Sequence, residues 1–524
     1  MADDLGFCDA FRSHVERQPD APALVWREQQ TTYGELSDLA DRARTRLAHL
    51  DLEPDEPVGV LATKSPAAVA LVLACLLSRR RFLLPSPALA DQSLTSLFAQ
   101  AGCRHVLGPD GEPAATPPNE GARALRRVDV AALDDVSFML TTSGSTGLPK
   151  IVPLGRGAVD RFLSWAGETF DIRPGKTVLN YAPLNFDLCL LDIWTTLAHG
   201  GRVVLVDPDR AAHGRHLLDL LRRHEVHVVQ AVPLFFGLLL GAELGPGFET
   251  VEHVMFTGDV IPDRTLAGLP QLFPAARLYN IYGCTETNDS FMYEVGAADG
   301  MYEVGAADGM YEVGSADGMY EVGAADTPIV PIGQPLPGVH AVIVDADGAV
   351  LDGPGAGELF VSTPFQTAGY LDQVRHADRF VGHPQGRDDR RYFRTGDLVR
   401  RDAEGRTFLV GRSDFQVKVR GVAVNTAEVE RVLLEHPEVL GVAVVARPDP
   451  LTGRQLIAAV QRTPASGVNS LALREHCARR LPRAAVPSTM WIVDEPLPMT
   501  STGKIDRNAV DRLREFPPAK GRAS

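Results

Sequence analysis

The sequence predicts an α/β fold, with a large N-terminal α/β domain of layered sheets and helices and a small α+β domain at the C-terminus. Strand-like apolar runs alternate with amphipathic helical stretches through most of the first 410 residues. The remaining residues show a different pattern of strands and helices, that of a compact α+β unit. The chain is also 524 residues long, more than one domain of ~100–200 residues needs. We therefore place a boundary between domains 1–411 and 412–524.

Strands and helices follow one another at regular spacing in the N-terminal part. The apolar pattern predicts strands at 57–63, 136–140, 201–206 and 226–232, and helices at 67–77 and 213–224. Strands separated by single helices are typical of parallel sheets, because a parallel connection needs a crossover. The C-terminal part is predicted to hold strands at 415–419, 441–446 and 455–460, with helices at 425–434 and 470–481. The first of these helices begins at Asn425, with Glu428 three residues on, as in a capping box.

Composition and charge exclude several classes of function. The net charge of −15 argues against a general nucleic-acid binder, whose affinity comes largely from neutralising phosphates. The longest apolar run, 67–77, is shorter than the ~18 residues of a membrane span, and the N-terminus has acids where a signal peptide has bases. We therefore expect a cytoplasmic protein. Six scattered cysteines without a C-x-x-C pair predict reduced thiols and no zinc site.

The basic residues are unevenly used. From residue 412 onward the chain has 17 Lys+Arg against 12 Asp+Glu, so this part carries +5 on an otherwise acidic protein. A basic C-terminal unit indicates an acidic partner for it. Lysine itself is rare, with six lysines among 52 basic residues. The retained lysines are therefore candidates for chemistry that needs a compact point charge rather than a planar guanidinium.

One segment is repetitive. The unit MYEVGAADG occurs four times, with small variations, from residue 292 to residue 327. Its Gly and Asp spacing differs from that of the calcium-binding nonapeptides of β-rolls, so calcium binding is the less favoured interpretation. The favoured interpretation is that one copy belongs to the fold. The other three copies, 27 residues, would then expand a surface loop, since the entropy of loop closure grows slowly with length.

A loop rich in hydroxyls and glycines follows the predicted strand at 136–140. Residues 141–150 have the sequence TTSGSTGLPK. Such a loop can wrap a polyphosphate with backbone N–H groups, hydroxyls and an ammonium, although its spacing is not that of a Walker A loop. Taken alone, a Ser/Gly loop is more often a plain linker.

Four further motifs follow in order along the chain. They are YGCTE at 282–286, YFRTGDL at 392–398, GRSDFQVKVRG at 411–421 and TGKIDR at 502–507. With the loop, they resemble the adenylate-forming enzymes, specifically a free-standing adenylation domain of the nonribosomal peptide synthetase type, over about 11–507. The resemblance implies ATP- and Mg²⁺-dependent conversion of an amino acid to aminoacyl-AMP and its transfer to the phosphopantetheine thiol of a separate carrier protein. It allows for a small accessory activator protein and implies no nucleic-acid or membrane partner.

The resemblance also implies roles for the residues in these motifs. Activating a carboxylate with ATP brings two anions together, so the site must neutralise charge. Lys504 would bridge the substrate carboxylate and the α-phosphate, Thr285 would bond the α-phosphate and Glu286 would hold Mg²⁺. The nucleotide would be bound by Thr142, Ser143, Gly144, Ser145, Thr146, Gly147 and Lys150 on the phosphates, Tyr282 on adenine, Asp397 on the ribose, and Arg412. Asp414 matches the hinge of a mobile C-terminal domain that would present first Lys504 and then the face carrying Lys418.

The segment FDLCLLDIW at 186–194 matches the family's core motif, in which Asp187 would bind the α-ammonium of an amino acid. Carried over position by position, the rest of the pocket is Leu188, Leu191, Gln230, Met255, Thr257, Ile281, Asp289 and Ser290. A small polar amino acid is the first choice of substrate, and proline or a proline-like ring is the second. Two alternatives are weighed: an acyl- or aminoacyl-CoA ligase, disfavoured by Asp187, and an inactive adenylate-binding scaffold, disfavoured by the intact Lys504.

Overall fold

The computed structural model describes residues 6–114, 135–142, 149–242, 245–296, 311–315, 318–322, 330–372, 378–413, 416–419, 422–449, 453–464, 466–481, 483–500 and 504–513. None of the helices within these ranges combines the length and the hydropathy that crossing a bilayer requires.

The first part of the chain builds a five-stranded sheet and the helices that cover it. Its elements are α1 Phe7–Arg17, β1 Pro22–Trp26, β2 Gln29–Thr32, α2 Tyr33–Ala48, β3 Val58–Val60, α3 Pro66–Leu77, β4 Phe82–Leu83, α4 Asp91–Ala101, β5 Val106–Leu107, β6 Val136–Thr142 and β7 Lys150–Gly155. The sheet has the order β5-β3-β4-β6-β7. Helix α3 starts where Ser65 caps the N–H of Ala68 and Pro66 fixes the first turn, and most of its side chains are buried. An apolar helix of this kind is stable only inside a core.

A second sheet has nine strands: β1 and β2 from the first part of the chain, six strands from the middle, and Gln334–Pro335 from further along. The middle of the chain supplies those six strands and the helices between them. Its elements are α5 Arg156–Thr169, β8 Thr177–Asn180, a π-helical turn Leu190–Thr195, α6 Thr196–Ala198, β9 Arg202–Leu205, a 3₁₀ turn Pro208–Arg210, α7 Gly214–Arg223, β10 Val228–Ala231, α8 Pro233–Leu240, β11 His253–Thr257, α9 Asp263–Leu272, β12 Arg277–Cys284 and β13 Asn288–Val295. Strands β8, β9, β10, β11 and β12 run parallel. The order β10-β8-β9 departs from the chain order, so helices cross over the sheet between them. The carboxyl ends of these strands lie along one edge, where α/β proteins bind ligands.

An antiparallel sheet closes the N-terminal part. The elements here are β14 Tyr311–Ser315, β15 Gly318–Val322, β16 Gln334–Pro335, β17 His340–Val344, β18 Gly355–Ser362, β19 Phe380–Val381, β20 Tyr392–Arg401 and β21 Thr407–Arg412. The sheet has the order β17-β18-β20-β19, and β21 pairs with β20. Trp194 joins the layers, because its ring lies 5.8 Å from that of Phe7 and 5.7 Å from that of Phe138.

The C-terminal part has a core of its own. Its elements are β22 Gln416–Val419, β23 Val422–Asn425, α10 Thr426–Leu434, β24 Val439–Asp449, β25 Gly453–Arg462, α11 Ser470–Ala478, a 3₁₀ turn Arg483–Ala485, β26 Thr489–Val493 and α12 Arg507–Arg512. Helices α10 and α11 pack their apolar faces on the sheet β24-β25-β26. Arg264 of α9 donates to the backbone oxygen of Val439 at 2.9 Å and so connects the two parts. The predicted α/β class, with a larger N-terminal and a smaller C-terminal unit, is confirmed, while the boundary at 411/412 stays a prediction.

The first copy of the repeat is part of the nine-stranded sheet. Met292 pairs with Ile281 and Val295 with Leu278, so the letters MYEV of that copy form the second half of β13. Residues 297–310, 316–317 and 323–329 of the repeat region lie outside the described residues. Described residues of the third and fourth copies also form strands, because β14 pairs with β15. That three copies are an expansion of a surface loop stays a prediction.

Removing three copies of the repeat should leave the protein nearly unchanged. A chain lacking 292–318 keeps one copy, joins Phe291 to the identical letters MYEV and so rebuilds β13. We expect a Tm within about 2 °C of wild type, because loop closure entropy changes slowly with length. The amino-acid-dependent pyrophosphate exchange that the resemblance implies should stay within about twofold of wild type. The matched control lacks 292–326, which removes all four copies and half of β13, and should unfold. A folded but inactive three-copy deletion would mean that the repeats belong to the site.

Candidate active site

The hairpin of β6 and β7 presents the predicted phosphate loop. Thr142 is the register partner of Lys150, so the two strands hold both ends of the loop together. Ser143, Gly144, Ser145, Thr146 and Gly147, which the sequence predicts on the phosphates, lie outside the described residues. The Lys150 ammonium lies 4.8 Å from the centre of the Tyr370 ring, and burial lowers the pKa of Lys150.

A corner formed by β12 and β20 joins the residues predicted to bind adenosine. The Tyr282 hydroxyl donates to Oδ2 of Asp397 at 2.5 Å, and Arg412 Nη1 donates to Oδ1 of the same carboxylate at 2.6 Å. Burial raises the pKa of the Tyr282 phenol, so this hydroxyl stays a donor at neutral pH. A carboxylate has two acceptor oxygens, which suits a pair of ribose hydroxyls.

Glu286 is a buried carboxylate at the end of β12. Its Oε1 atom accepts a hydrogen bond from the Tyr370 hydroxyl at 2.6 Å. Among the described residues, no group of three His, Cys, Asp or Glu side chains could hold a metal ion. Mg²⁺ bound with nucleotides commonly takes one or two carboxylates and completes its shell with phosphate oxygens and water. A buried carboxylate close enough to Lys150 to oppose the fall that burial causes in its pKa fits that chemistry.

Asp187 lies in the loop between β8 and the π-helical turn. Its Oδ2 atom accepts a hydrogen bond from the Thr285 hydroxyl at 2.7 Å, and its Oδ1 atom is buried without a hydrogen-bond partner among the described residues. Burial raises the pKa of the Asp187 carboxyl, and the charge of Lys504 opposes that rise. The hydrogen bond thus brings Thr285, predicted to contact the α-phosphate, into direct contact with Asp187, predicted to bind the α-ammonium.

The predicted pocket residues lie mostly on one face of the nine-stranded sheet. Gln230 pairs with Met255, and Thr257, two residues further along β11, pairs with Ile281. Residues paired across strands, and residues two apart along one strand, share a face. Leu191 is fully buried in the π-helical turn, and Leu188 packs against the same core. The remaining two predicted residues, Asp289 and Ser290, follow on β13, where the Ser290 hydroxyl donates to Thr287 Oγ1 and the Asn288 carbonyl.

Sequence reasoning missed a buried polar network beneath this pocket. Asp192 accepts hydrogen bonds from Asn180 Nδ2 and Gln230 Nε2, both at 3.0 Å, and burial raises its pKa to about 7. Lys64 Nζ donates to the three successive carbonyls of residues 180–182 at 3.0–3.1 Å, and burial lowers its pKa to about 8. These bonds fix the backbone that leads to Asp187. The scarcity of lysine was the one sequence signal that pointed to Lys64.

Lys504 belongs to the C-terminal part and lies beside Gly258 at the edge of the site. The Lys504 carbonyl accepts from the Thr500 N–H at 2.6 Å, and the Lys504 N–H donates to the Thr500 hydroxyl at 3.1 Å. Gly258, at the end of β11, has φ +83°, and a Cβ at Gly258 would lie 3.9 Å from Lys504 Cε. The backbone of Lys418 pairs with Ala423 in the β22–β23 hairpin, whereas the predicted hinge residue Asp414 lies outside the described residues.

Family models match both parts of the chain. The model of the AMP-binding enzyme family matches residues 11–371, and that of the AMP-binding enzyme C-terminal domain matches residues 428–504. The chain belongs to the AMP-binding enzyme family. The resemblance inferred from the motifs is thereby confirmed.

Curated relatives of this AMP-binding enzyme include two named L-proline–[L-prolyl-carrier protein] ligase. The one from Streptomyces coelicolor is 31% identical, over 95% of this chain and 94% of that protein. The one from Pseudomonas fluorescens is 32% identical, over 73% of this chain and 69% of that protein. Malpinin synthetase of Mortierella alpina is 29% identical over 96% of this chain, which spans 6% of the length of that synthetase.

Solved structures share the fold. An o-succinylbenzoate CoA synthetase from Bacillus subtilis, in complex with an acyl-adenylate intermediate, has a TM-score of 0.76 at 21% identity and covers 97% of this chain and 99% of its own. A four-domain nonribosomal peptide synthetase bound to AMP and glycine also has a TM-score of 0.76, at 20% identity, over 99% of this chain and 37% of its own.

Proposed function

We propose that this enzyme activates an amino acid with ATP and transfers the aminoacyl group to the phosphopantetheine thiol of a carrier protein. The observation that carries the proposal is the 2.7 Å hydrogen bond from Thr285 to Asp187. It joins the group proposed to bond the α-phosphate to the group proposed to bind the α-ammonium. An amino acid held between them has its carboxylate next to the α-phosphorus, which is the proximity that adenylation requires.

The first half-reaction follows from this placement. A carboxylate oxygen of the amino acid attacks the α-phosphorus, the bond from the α-phosphorus to the bridging oxygen breaks, and pyrophosphate leaves with the electron pair. Negative charge gathers on the α-phosphate, where Lys504 and Thr285 donate to it. Tyr282, Asp397 and Arg412 hold the adenosine. Glu286 would hold Mg²⁺, which would supply further neutralisation of phosphate charge.

The second half-reaction consumes the aminoacyl-AMP. The carrier's thiol attacks the activated carbonyl, a thioester forms, and AMP leaves. We propose that the C-terminal domain turns about Asp414 between the two steps and brings the face that carries Lys418 towards the nucleotide. The two relatives named as carrier-protein ligases support this acceptor.

Amino-acid-dependent pyrophosphate exchange tests the first half-reaction. We expect exchange above background with at least one member of a panel of the proteinogenic amino acids, proline included, and non-proteinogenic diamino acids. The matched panel contains the same acids without the α-amino group. Equal exchange with these simple acids would favour an acyl ligase, and binding of ATP without exchange would favour a scaffold. Thioester formation on a carrier protein rather than on coenzyme A distinguishes the two acceptors.

Carrier loading should be more sensitive to salt than adenylation. The part of the chain from residue 412 carries +5, and an acidic carrier would be attracted to it over a distance that salt shortens to ~8 Å at physiological ionic strength. Raising NaCl from 50 to 500 mM should slow loading by about tenfold and exchange by less than about twofold.

Arg-to-Glu variants test which surface of the C-terminal part attracts the carrier protein. Arg479 and Arg483 are exposed, so their change to Glu leaves the core of the C-terminal part intact. We expect the double variant to load the carrier about tenfold more slowly with unchanged exchange. Arg42→Glu, on the exposed face of α2, is the matched control and should load normally. Equal salt sensitivity of both steps would contradict docking on the basic surface.

A further inference from the structure

Asp289 has an oxygen that the proposed reaction leaves unused. Its Oδ2 atom is buried and forms no hydrogen bond with any described residue, and the same holds for Oδ1 of Asp187. Buried carboxylate oxygens in proteins are almost always paired, because a desolvated charge without a partner is strongly unfavourable. Two such oxygens in one site indicate a ligand that brings two donors.

A β-bulge in β13 decides which face of the nine-stranded sheet carries Asp289. Tyr282 pairs with Phe291, but the next residue of β12, Gly283, pairs with Asp289, so Ser290 is an extra residue in β13. In unbroken pairing Asp289 would lie opposite Cys284 and on the other face of the sheet. The bulge instead places it on the face of Ile281, because residues two apart on β12 share a face. This is the face that carries Gln230 and Thr257.

Two carboxyl groups, those of Asp187 and Asp192, lie close enough to Asp289 to disfavour its ionisation. Burial, together with the charges of Asp187 and Asp192, raises the pKa of Asp289 to about 8. Both oxygens of Asp192 already accept hydrogen bonds from amide side chains. The ammonium of Lys64 is committed to backbone carbonyls. No cation of the described residues therefore pairs with Asp289, and a cation from the substrate would relieve this repulsion.

We propose that Asp289 selects a substrate with a second amine, so that the enzyme activates an amino acid whose side chain ends in an ammonium group. The inference rests on the proposed function, in which Asp187 binds the α-ammonium. The side-chain ammonium then donates to Asp289 Oδ2, while Met255 and Ile281 lie on the same face as contacts for the methylenes. A neutral side chain, including the ring of proline, leaves the Asp289 oxygen without a donor.

Pairs of substrates matched in size test the selection. Pyrophosphate exchange is measured with 2,3-diaminopropionate, 2,4-diaminobutyrate, ornithine and lysine, and with serine, homoserine, norvaline and proline as neutral counterparts. We expect the best diamino acid to exceed every neutral one by about 10²-fold in kcat/KM, since a site built around a buried polar group rejects analogues that cannot pair with it. The best diamino acid should also raise the Tm of the wild-type enzyme more than its neutral counterpart does.

Asp289→Asn should lower kcat/KM for the best diamino acid by about 10²-fold relative to its effect on the neutral counterpart, so that the preference between the two is lost. Glu294→Gln is the matched control on the same strand, because Glu294 is exposed and pairs with Arg277, and it should keep the wild-type preference. If Asp289→Asn does not fold, the wild-type panel and the Tm shifts decide alone. Preference for a neutral amino acid overturns the inference and leaves the proposed function standing. Absence of exchange with every amino acid overturns both.

Discussion

Changing Lys504 to Ala is expected to lower amino-acid-dependent pyrophosphate exchange by about 10³-fold, with ATP affinity and folding close to wild type. The Lys504 N–H donates to the Thr500 hydroxyl, and Lys504 Cε lies 3.9 Å from the place of a Cβ on the left-handed Gly258. The charge of Lys504 opposes the rise in the pKa of Asp187. At that place an ammonium can contact both the substrate carboxylate and the α-phosphate. Their mutual repulsion is greatest in the transition state, so the defect should lie in kcat rather than in nucleotide binding.

The matched control is Arg512→Ala, which removes a cation from an exposed position on α12 of the same part of the chain. It should exchange at the wild-type rate. Lys504→Arg keeps the charge but replaces a compact ammonium with a planar fork, so an intermediate rate is expected. Exchange by Lys504→Ala within tenfold of wild type would refute the role of Lys504 in adenylation.

Several elements could be predicted because local sequence determines them. The helix predicted at 67–77 is observed as α3, since Ser65 and Pro66 define its start and an unbroken apolar run fills a core. Strand β24 was predicted at 441–446 but extends over Val439–Asp449. Its C-terminal end, 447–449, departs from the apolar pattern and stays in the sheet because β25 pairs with all three residues. Long-range pairing of that kind has no signature in the local pattern.

The site also has residues that the sequence could predict and contacts that depend on the fold. The sequence motifs predicted Tyr282 and Asp397 as site residues. The hydrogen bond between them is visible only in the folded chain, because 115 positions separate them in the sequence. The network of Asp192, Asn180 and Gln230 depends on β8 lying next to β10, a neighbourhood set by sheet order and not by sequence order. The bulge at Ser290 was equally hidden, because a shift by one residue in pairing decides which face Asp289 occupies.

The second large effect is expected at Asp187. Asp187→Asn should lower kcat/KM for the amino acid by about 10²–10³-fold and leave ATP binding unchanged. The amide is close in size to the carboxylate and can still accept from Thr285, so the nucleotide side of the site stays in place. The loss has one physical cause, the missing negative charge at Oδ1, a buried atom without a partner among the described residues. The substrate ammonium then enters a desolvated site without a counter-charge.

Comparing each amino acid with the same acid lacking its α-amino group isolates that charge. Wild type should prefer the amino acid, and Asp187→Asn should reduce the preference to near unity, because both substrates then meet a neutral amide. Asp209→Asn makes the same chemical change at a side chain that is 86% exposed and should keep the preference. A wild-type enzyme that activates both substrates equally would show that Asp187 does not bind an ammonium. The unpartnered oxygen would then need another donor, and the acyl-ligase alternative would account for the site better than amino acid activation.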